Sequence, residues 1–319
     1  MDEYERPQPA SPLPPSRWDE EPIILAEVVP EPPPDFARRP PAPRRRWTVP
    51  LALFLLTCLS TFWVGGLVYS VSLMTILVCH ELGHFFQARR YGVPATLPLF
   101  IPLPLPPIGT LGAVIAMSSR IRDRRALFDI GITGPLLGLV PTMVCIMLGL
   151  SWSHVGKIVP APPLSELGEP LLFKILAWVQ FGPIPEGYTV YLHPVGVAGW
   201  VGLLITSLNL FPIGQLDGGH VLYALLRHKA HTVAWLVLAA SAVAVVILGY
   251  YWWFLMLFLV MLMGPEHAPT GNDHVRLGPV RVVLGWLTLA FLPIGFTPNP
   301  FAQDAPSLLP QLLQLLGLQ

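Results

Sequence analysis

The run His80-Glu81-Leu82-Gly83-His84 lies inside an apolar stretch long enough to cross a membrane. Two imidazoles and a carboxylate cost roughly 2–3 kcal/mol or more each at bilayer depth, so they persist in a span where they pair or work. On a helix, His80 and His84 stand one turn apart on a single face, with Glu81 beside them. A zinc hydrolase needs that arrangement: two neutral nitrogen ligands, and a carboxylate placed to take a proton from a water polarised by the ion. At the chain's own His and Glu frequencies, a chance HExxH match is expected roughly 0.01 times over the full length.

The rest of the chain fits a lipid environment. Hydrophobic residues make up 53% and charged residues 12%, where a soluble domain carries about 25% charged. Stretches approaching spanning length cover 47–67, 70–90, 126–150, 192–212, 232–249, 250–263 and 279–296. The pattern predicts an all-α polytopic membrane protein with six to seven transmembrane helices. Residues 232–263 are nearly continuous, with only Gly249-Tyr250-Tyr251 offering a turn, so one tilted helix and two shorter ones both stay open. Gly131, Gly134 and Gly138 in the third span read as close-packing positions. Leu171–Phe181 reads as an amphipathic piece on the outer surface, and Tyr250, Tyr251, Trp252 and Trp253 suit an interfacial belt.

Seventeen of the nineteen Lys and Arg fall on one side of this topology, and only Lys157 and Lys174 on the other. The positive-inside bias puts the N-terminus in the cytoplasm, with an odd number of spans, and His80 and His84 near the cytoplasmic end of span two. Sixteen Arg against three Lys suggest a GC-rich bacterial genome, hence a multi-pass protein of the bacterial inner membrane. Residues 1–46 form a Pro-rich cytoplasmic tail with no signal-peptide pattern, too poor in apolar surface to offset ordering entropy and so expected to be disordered. Residues 47–300 make the membrane domain and 301–319 a C-terminal tail. Cys58, Cys79 and Cys145 are isolated within spans and form no disulfide framework.

Two histidines leave zinc short of a third ligand. Span four ends in Asn209-Leu210-Phe211-Pro212-Ile213-Gly214-Gln215-Leu216-Asp217-Gly218-Gly219-His220. Pro212 breaks the helix, Gly218-Gly219 allow a sharp turn, and a short helix follows from 219 to 227. Asp217 either caps that helix or, lying at the same inner end as His84, reaches the metal. His220 is a weaker ligand candidate. The Asn209 amide either bonds a neighbouring helix or donates to a substrate oxyanion.

HELGH in one span and NLFPIGQLDGGH closing a later one resemble the site-2 protease family of intramembrane zinc metalloproteases. The stretches Gly109-Thr110-Leu111-Gly112-Ala113-Val114-Ile115 and Arg125-Ala126-Leu127-Phe128-Asp129-Ile130-Gly131, running into Gly134-Pro135, are similar to the bacterial and chloroplast branch lacking a PDZ domain. The resemblance reaches from about 47 to 296, leaving out the tail and the loop near 151–190. It implies one zinc held by His80, His84 and Asp217, Glu81 as general base, and Asn209 in contact with substrate or transition state. It also implies transmembrane protein substrates cut within the bilayer near the cytoplasmic face, with no nucleic-acid partner.

Residues 94–117 are expected to hold an unwound substrate. Pro94, Pro98, Pro102, Pro104, Pro106 and Pro107 forbid a helix, and 110–117 reads as a short extended, membrane-embedded stretch. An available strand edge there is expected to bind an extended peptide by β-augmentation, and the resemblance implies a membrane-embedded hairpin at this place; the competing reading is an ordinary cytoplasmic Pro-rich loop. Two other functions compete. A ZIP-like zinc transporter needs further ligands on a neighbouring helix, which no other span carries. A CAAX-type membrane protease needs a distant Glu as third ligand, for which Glu266 is the candidate.

Overall fold

A computed structural model describes residues 47–117, 121–159 and 167–301. The Pro-rich segment 1–46 and the stretch beyond 301 lie outside the described residues. The elements run α1 (Thr48–Arg90), β1 (Leu99–Pro102), β2 (Thr110–Val114), α2 (Arg124–Ser151), β3 (His154–Lys157), α3 (Leu171–Phe181), β4 (Tyr188–Tyr191), α4 (Pro194–Asn209), α5 (Asp217–Leu226), α6 (Lys229–Leu248), α7 (Phe254–Met263), α8 (Pro279–Ala290) and α9 (Leu292–Gly295). The protein is mostly helical, with two small antiparallel sheets, the hairpin β1–β2 and the pair β3–β4, whose strands flank α3 in sequence. Three helices, α1, α2 and α6, are long and apolar enough to cross a membrane, and they mark a membrane protein. Their outward faces are bare hydrocarbon: Trp63 is 80% exposed and Leu236 65%. Water tolerates no such continuous apolar surface.

The first two expected spans are not separated by a loop. They form one 43-residue stretch of helix, broken only at Gly66 (φ 77°, ψ −178°). In a straight helix Thr61 and Ser70 would stand about 13 Å apart. Here their hydroxyls are 2.7 Å apart, and Ser70 Oγ also donates to the carbonyl of Cys58 at 3.1 Å. The chain therefore folds back on itself at Gly66, and the inner seam is stitched by hydroxyls whose partners lie within the hairpin.

The 94–117 segment packs on both arms of α1. Ser60 Oγ donates to the Gly109 carbonyl (2.6 Å), Tyr69 Oη to the Ile108 carbonyl (2.7 Å), and Phe54 meets Phe100 edge-on at 5.4 Å. Non-helical backbone at membrane depth needs such cover. The strands pair Leu99 with Val114 and Phe100 with Ala113, and Ala95 bridges to Met117. The stretch is thus a built hairpin, which removes the reading as an ordinary loop.

The arms of α1 pack with α2 and α4 around Tyr69, Leu73, Ile146, Trp200 and Leu203. A second cluster, with Leu127, Phe128, Val221 and Tyr223, seats α5 against α2. Asp129 on α2 takes two hydrogen bonds of 2.8 Å from the Arg281 guanidinium and one from the Tyr91 hydroxyl, so α8 and the end of α1 are pinned to α2 by a paired charge. Residues 232–263 are two helices. Left-handed Gly249 (φ 75°, ψ 23°) ends α6, and a 3-10 turn at Tyr251–Trp253 leads into α7. Leu171–Phe181 is a helix as expected; Trp252 and Trp253 pack on Phe301 and Phe296.

Gly66 occupies a backbone region open essentially to glycine alone, and a Cβ there would meet nothing within 4 Å. Gly66→Ala is therefore expected to destabilise the protein by about 1–3 kcal/mol through the backbone alone. Thermal unfolding in detergent measures it, and an unchanged midpoint would show that the fold-back does not need this conformation.

Candidate metal centre

His80 and His84 lie on the last turns of α1, both buried, one turn apart as the HExxH spacing dictates. The third member arrives from 133 residues further on. After α4 ends at Asn209, Leu210–Leu216 form a compact turn in which the Gly214 amide donates to the Pro265 carbonyl at 2.9 Å. Asp217 opens α5, but Leu216 occupies the capping position and no side chain caps the helix. The Asp217 carboxylate points at the histidines instead, which settles the choice against capping. Gly218 and Gly219 do not make the turn. They lie within α5, and a Cβ on either would strike carbonyl oxygens of the preceding turn, Leu210 at 2.0 Å and Gly214 at 2.3 Å. Their bareness lets the first turn of α5 sit on that loop, which fixes where Asp217 points.

The three ligand atoms converge. His80 Nε2 is 3.1 Å from Asp217 Oδ2, His84 Nε2 is 3.2 Å from Asp217 Oδ1, and the two Nε2 atoms are 3.2 Å apart. Ligands on a tetrahedral zinc at about 2.0–2.1 Å stand about 3.3 Å from one another. The triangle therefore fits one zinc ion, and among the described residues it is the group of three that brings ligand atoms together this way. The His84 orientation is set from behind: Nδ1 lies 2.8 Å from the Ile130 carbonyl, which can only accept, so Nδ1 carries the proton. Neutral His84 then presents Nε2 bare, as a metal ligand requires.

The α2 helix provides the floor. A Cβ on Gly134 would fall 1.9 Å from His84 Nε2, and one on Gly138 would fall 2.9 Å from His80 Cβ. The close-packing expected at Gly134 and Gly138 is thus packing against the two ring ligands themselves.

Around the triangle opens a cavity of about 510 Å³. Glu81 and Asn209 line it; the Glu81 side chain is buried and accepts no hydrogen bond among the described residues, and Asn209 Nδ2 lies 3.2 Å from His80 Nε2. Residues 113–117, on β2 and just beyond, form one wall, and Val260, Met263, Gly264 and His267 form part of another. His220 also lines the cavity but stays outside the ligand triangle; its Nδ1 lies 2.7 Å from His267 Nε2. His267 was missed in the sequence, where its only signal is a polar Pro265-Glu266-His267 run directly after an apolar helix. Glu266 is not a third ligand: its carboxylate accepts from Trp235 Nε1 at 3.0 Å and stands 3.9 Å from His231.

Gly134→Ala should displace the His84 ring and weaken zinc binding about 10- to 100-fold, as loss of ligand support commonly does. Leu137→Ala, on the exposed side of the same helix, should leave zinc content unchanged. Metal analysis of the purified variants reads both. Equal zinc affinity in the two would show that the glycine floor does not seat the ring.

Comparison with known proteins agrees with this site. The profile of peptidase family M50 matches residues 68–250, which contain all three ligand candidates. The chain is 32% identical over 166 residues to the probable zinc metalloprotease EGY1, chloroplastic, of Oryza sativa subsp. japonica, covering 50% of this chain and 28% of the relative. It is 28% identical over 245 residues to EGY2 of Arabidopsis thaliana (72% and 42%), and 28% identical over 239 residues to EGY1 of the same plant (73% and 43%), both named probable zinc metalloproteases. The chain spans less than half the length of each of these relatives. No solved structure matches it. With the family profile covering more than half of its residues, the chain belongs to peptidase family M50.

Proposed function

We propose that this protein is a zinc-dependent intramembrane endopeptidase of the site-2 type, which cuts transmembrane protein segments near the cytoplasmic face. The observation that carries the proposal is the meeting of His80, His84 and Asp217 in one cavity with Glu81 and Asn209, beside an extended strand. In this reading His80, His84 and Asp217 hold the ion. A zinc ion held there supplies Lewis-acid polarisation and brings the pKa of water toward neutrality. Glu81 takes the proton from the attacking water and passes it to the departing amine nitrogen. Asn209 donates from its amide to the carbonyl oxygen as negative charge develops there. The β2 strand, paired with β1 on one edge, offers its other edge to an unwound substrate.

The topology that goes with this reading has seven crossings: both arms of α1, then α2, α4, α6, α7 and α8–α9. The positive residues keep the N-terminus cytoplasmic, in a bacterial inner membrane, with 1–46 as a tail outside the catalytic domain and 301–319 as a C-terminal tail. A transmembrane helix hides its peptide bonds, so cleavage requires local unwinding.

Purified protein with one zinc per chain should cleave a transmembrane substrate in detergent or vesicles. Glu81→Gln is expected to keep zinc while losing about 10²-fold or more of the rate; Asp217→Ala should lose zinc and cleavage together, and Glu266→Ala neither. Zinc flux across vesicles without cleavage would point to a transporter instead. A substrate span containing Gly, Pro or Asn should also be cut faster than a poly-Leu span; equal rates would remove the unwinding requirement.

A further inference from the structure

A third histidine, His220 of α5, packs on the α2 glycine face that also meets the two ligands. A Cβ on Gly131 would fall 2.7 Å from His220 Cβ, as those on Gly134 and Gly138 would strike His84 and His80. These glycines are three and four residues apart, so they lie on one face of α2 at about one-turn intervals. His220 is therefore the next group along from His84, buried at 7% exposure, on the wall of the same cavity.

Its hydrogen-bonding state is set by its neighbours. His267 Nδ1 lies 2.6 Å from the Ala268 carbonyl, which can only accept, so that nitrogen carries the proton. Neutral His267 then has a bare Nε2, and His220 Nδ1–H donates to it across 2.7 Å. Two adjoining imidazoles enclosed together do not both charge readily; burial and the neighbouring His267 push His220 down to about 3, and burial lowers His267 as well. The second ring nitrogen of His220, Nε2, is left as an acceptor with no hydrogen bond among the described residues. Around it, Tyr223 stacks on His267 with ring centroids 4.8 Å apart and is itself anchored by donating to Asp273 at 2.7 Å, so the pair is braced.

We propose that His220 is a substrate-binding residue: its Nε2 accepts a backbone N–H of the peptide lying beside the scissile bond. The inference rests on the peptidase reading and extends it. An extended chain alongside β2 turns alternate N–H groups away from that strand. Such a group, once it leaves bulk water for the cavity, is stabilised by an acceptor there. His220 supplies one on the wall of the cavity that holds the ligand triangle, and its tautomer is held so that it cannot offer a proton instead.

The test uses zinc-loaded full-length protein carrying Glu81→Gln, and a labelled substrate peptide in which the amides flanking the scissile bond are replaced one at a time by esters. An ester removes the N–H and keeps the shape. At one position the ester should weaken binding about 3- to 10-fold, the range of one net hydrogen bond. His220→Asn, which keeps a donor toward His267 but has no acceptor at the Nε2 position, should bind amide and ester alike. His220→Gln, which restores an oxygen there, should recover the discrimination, with zinc unchanged throughout. Identical ester penalties in the His220 and His220→Asn proteins overturn the contact, as does loss of zinc that tracks the loss of binding. Cleavage is scored separately with Glu81 intact: ester discrimination without any cleavage brings down the peptidase reading and leaves the contact standing.

Discussion

Two imidazole nitrogens one helical turn apart and the two oxygens of a carboxylate from far along the chain meet at the centre of this protein, with each nitrogen 3.1–3.2 Å from the other and from one carboxylate oxygen. His84 Nε2 cannot carry a proton while its Nδ1 is committed to the Ile130 carbonyl in the neutral ring. The triangle therefore concentrates lone pairs and a carboxylate, an arrangement that a cation stabilises. Much of the surrounding architecture serves to hold those atoms together. The helix spacing sets two of them, and the turn before α5 delivers the third. The bare face of α2 lets both histidines approach its backbone closely.

That requirement explains several features that look unrelated along the chain. Gly66 folds α1 back so that its second arm is enclosed by the first arm, α2 and α4. Asp129, paired with Arg281, is the residue directly before Ile130, whose carbonyl orients His84, so the charge that anchors α8 also steadies the helix floor. The β1–β2 hairpin is roofed by Ser60 and Tyr69 of α1, which satisfy its inward carbonyls. Its far edge is thereby left beside the cavity as a rigid wall.

Much of the site was legible in the sequence because its signals are local. His80, Glu81 and His84 announce themselves by spacing, and the Pro-rich 94–107 run announces extended backbone. The role of Gly218 and Gly219 was not legible, since a glycine pair reads equally as a turn and as a close approach to backbone that is distant in space. His267 was invisible for the same reason: only its contact with His220 gives it meaning, and 47 residues separate the two. The single-helix or two-helix choice at 232–263 turned on whether Gly249 adopts the left-handed conformation, which glycine permits without requiring.

By itself the sequence determined that the chain enters lipid, that a helix there presents two imidazoles and a carboxylate, and that an aspartate after a broken span is available to them. These follow from hydropathy and helical period, which act over a few residues. Tertiary structure alone decided that Asp217 turns to the histidines and away from its own helix end, that the α2 glycines face the rings, and that His220 is held as an acceptor. Those outcomes depend on which surfaces meet and at what distance, and short-range pattern carries no measure of either.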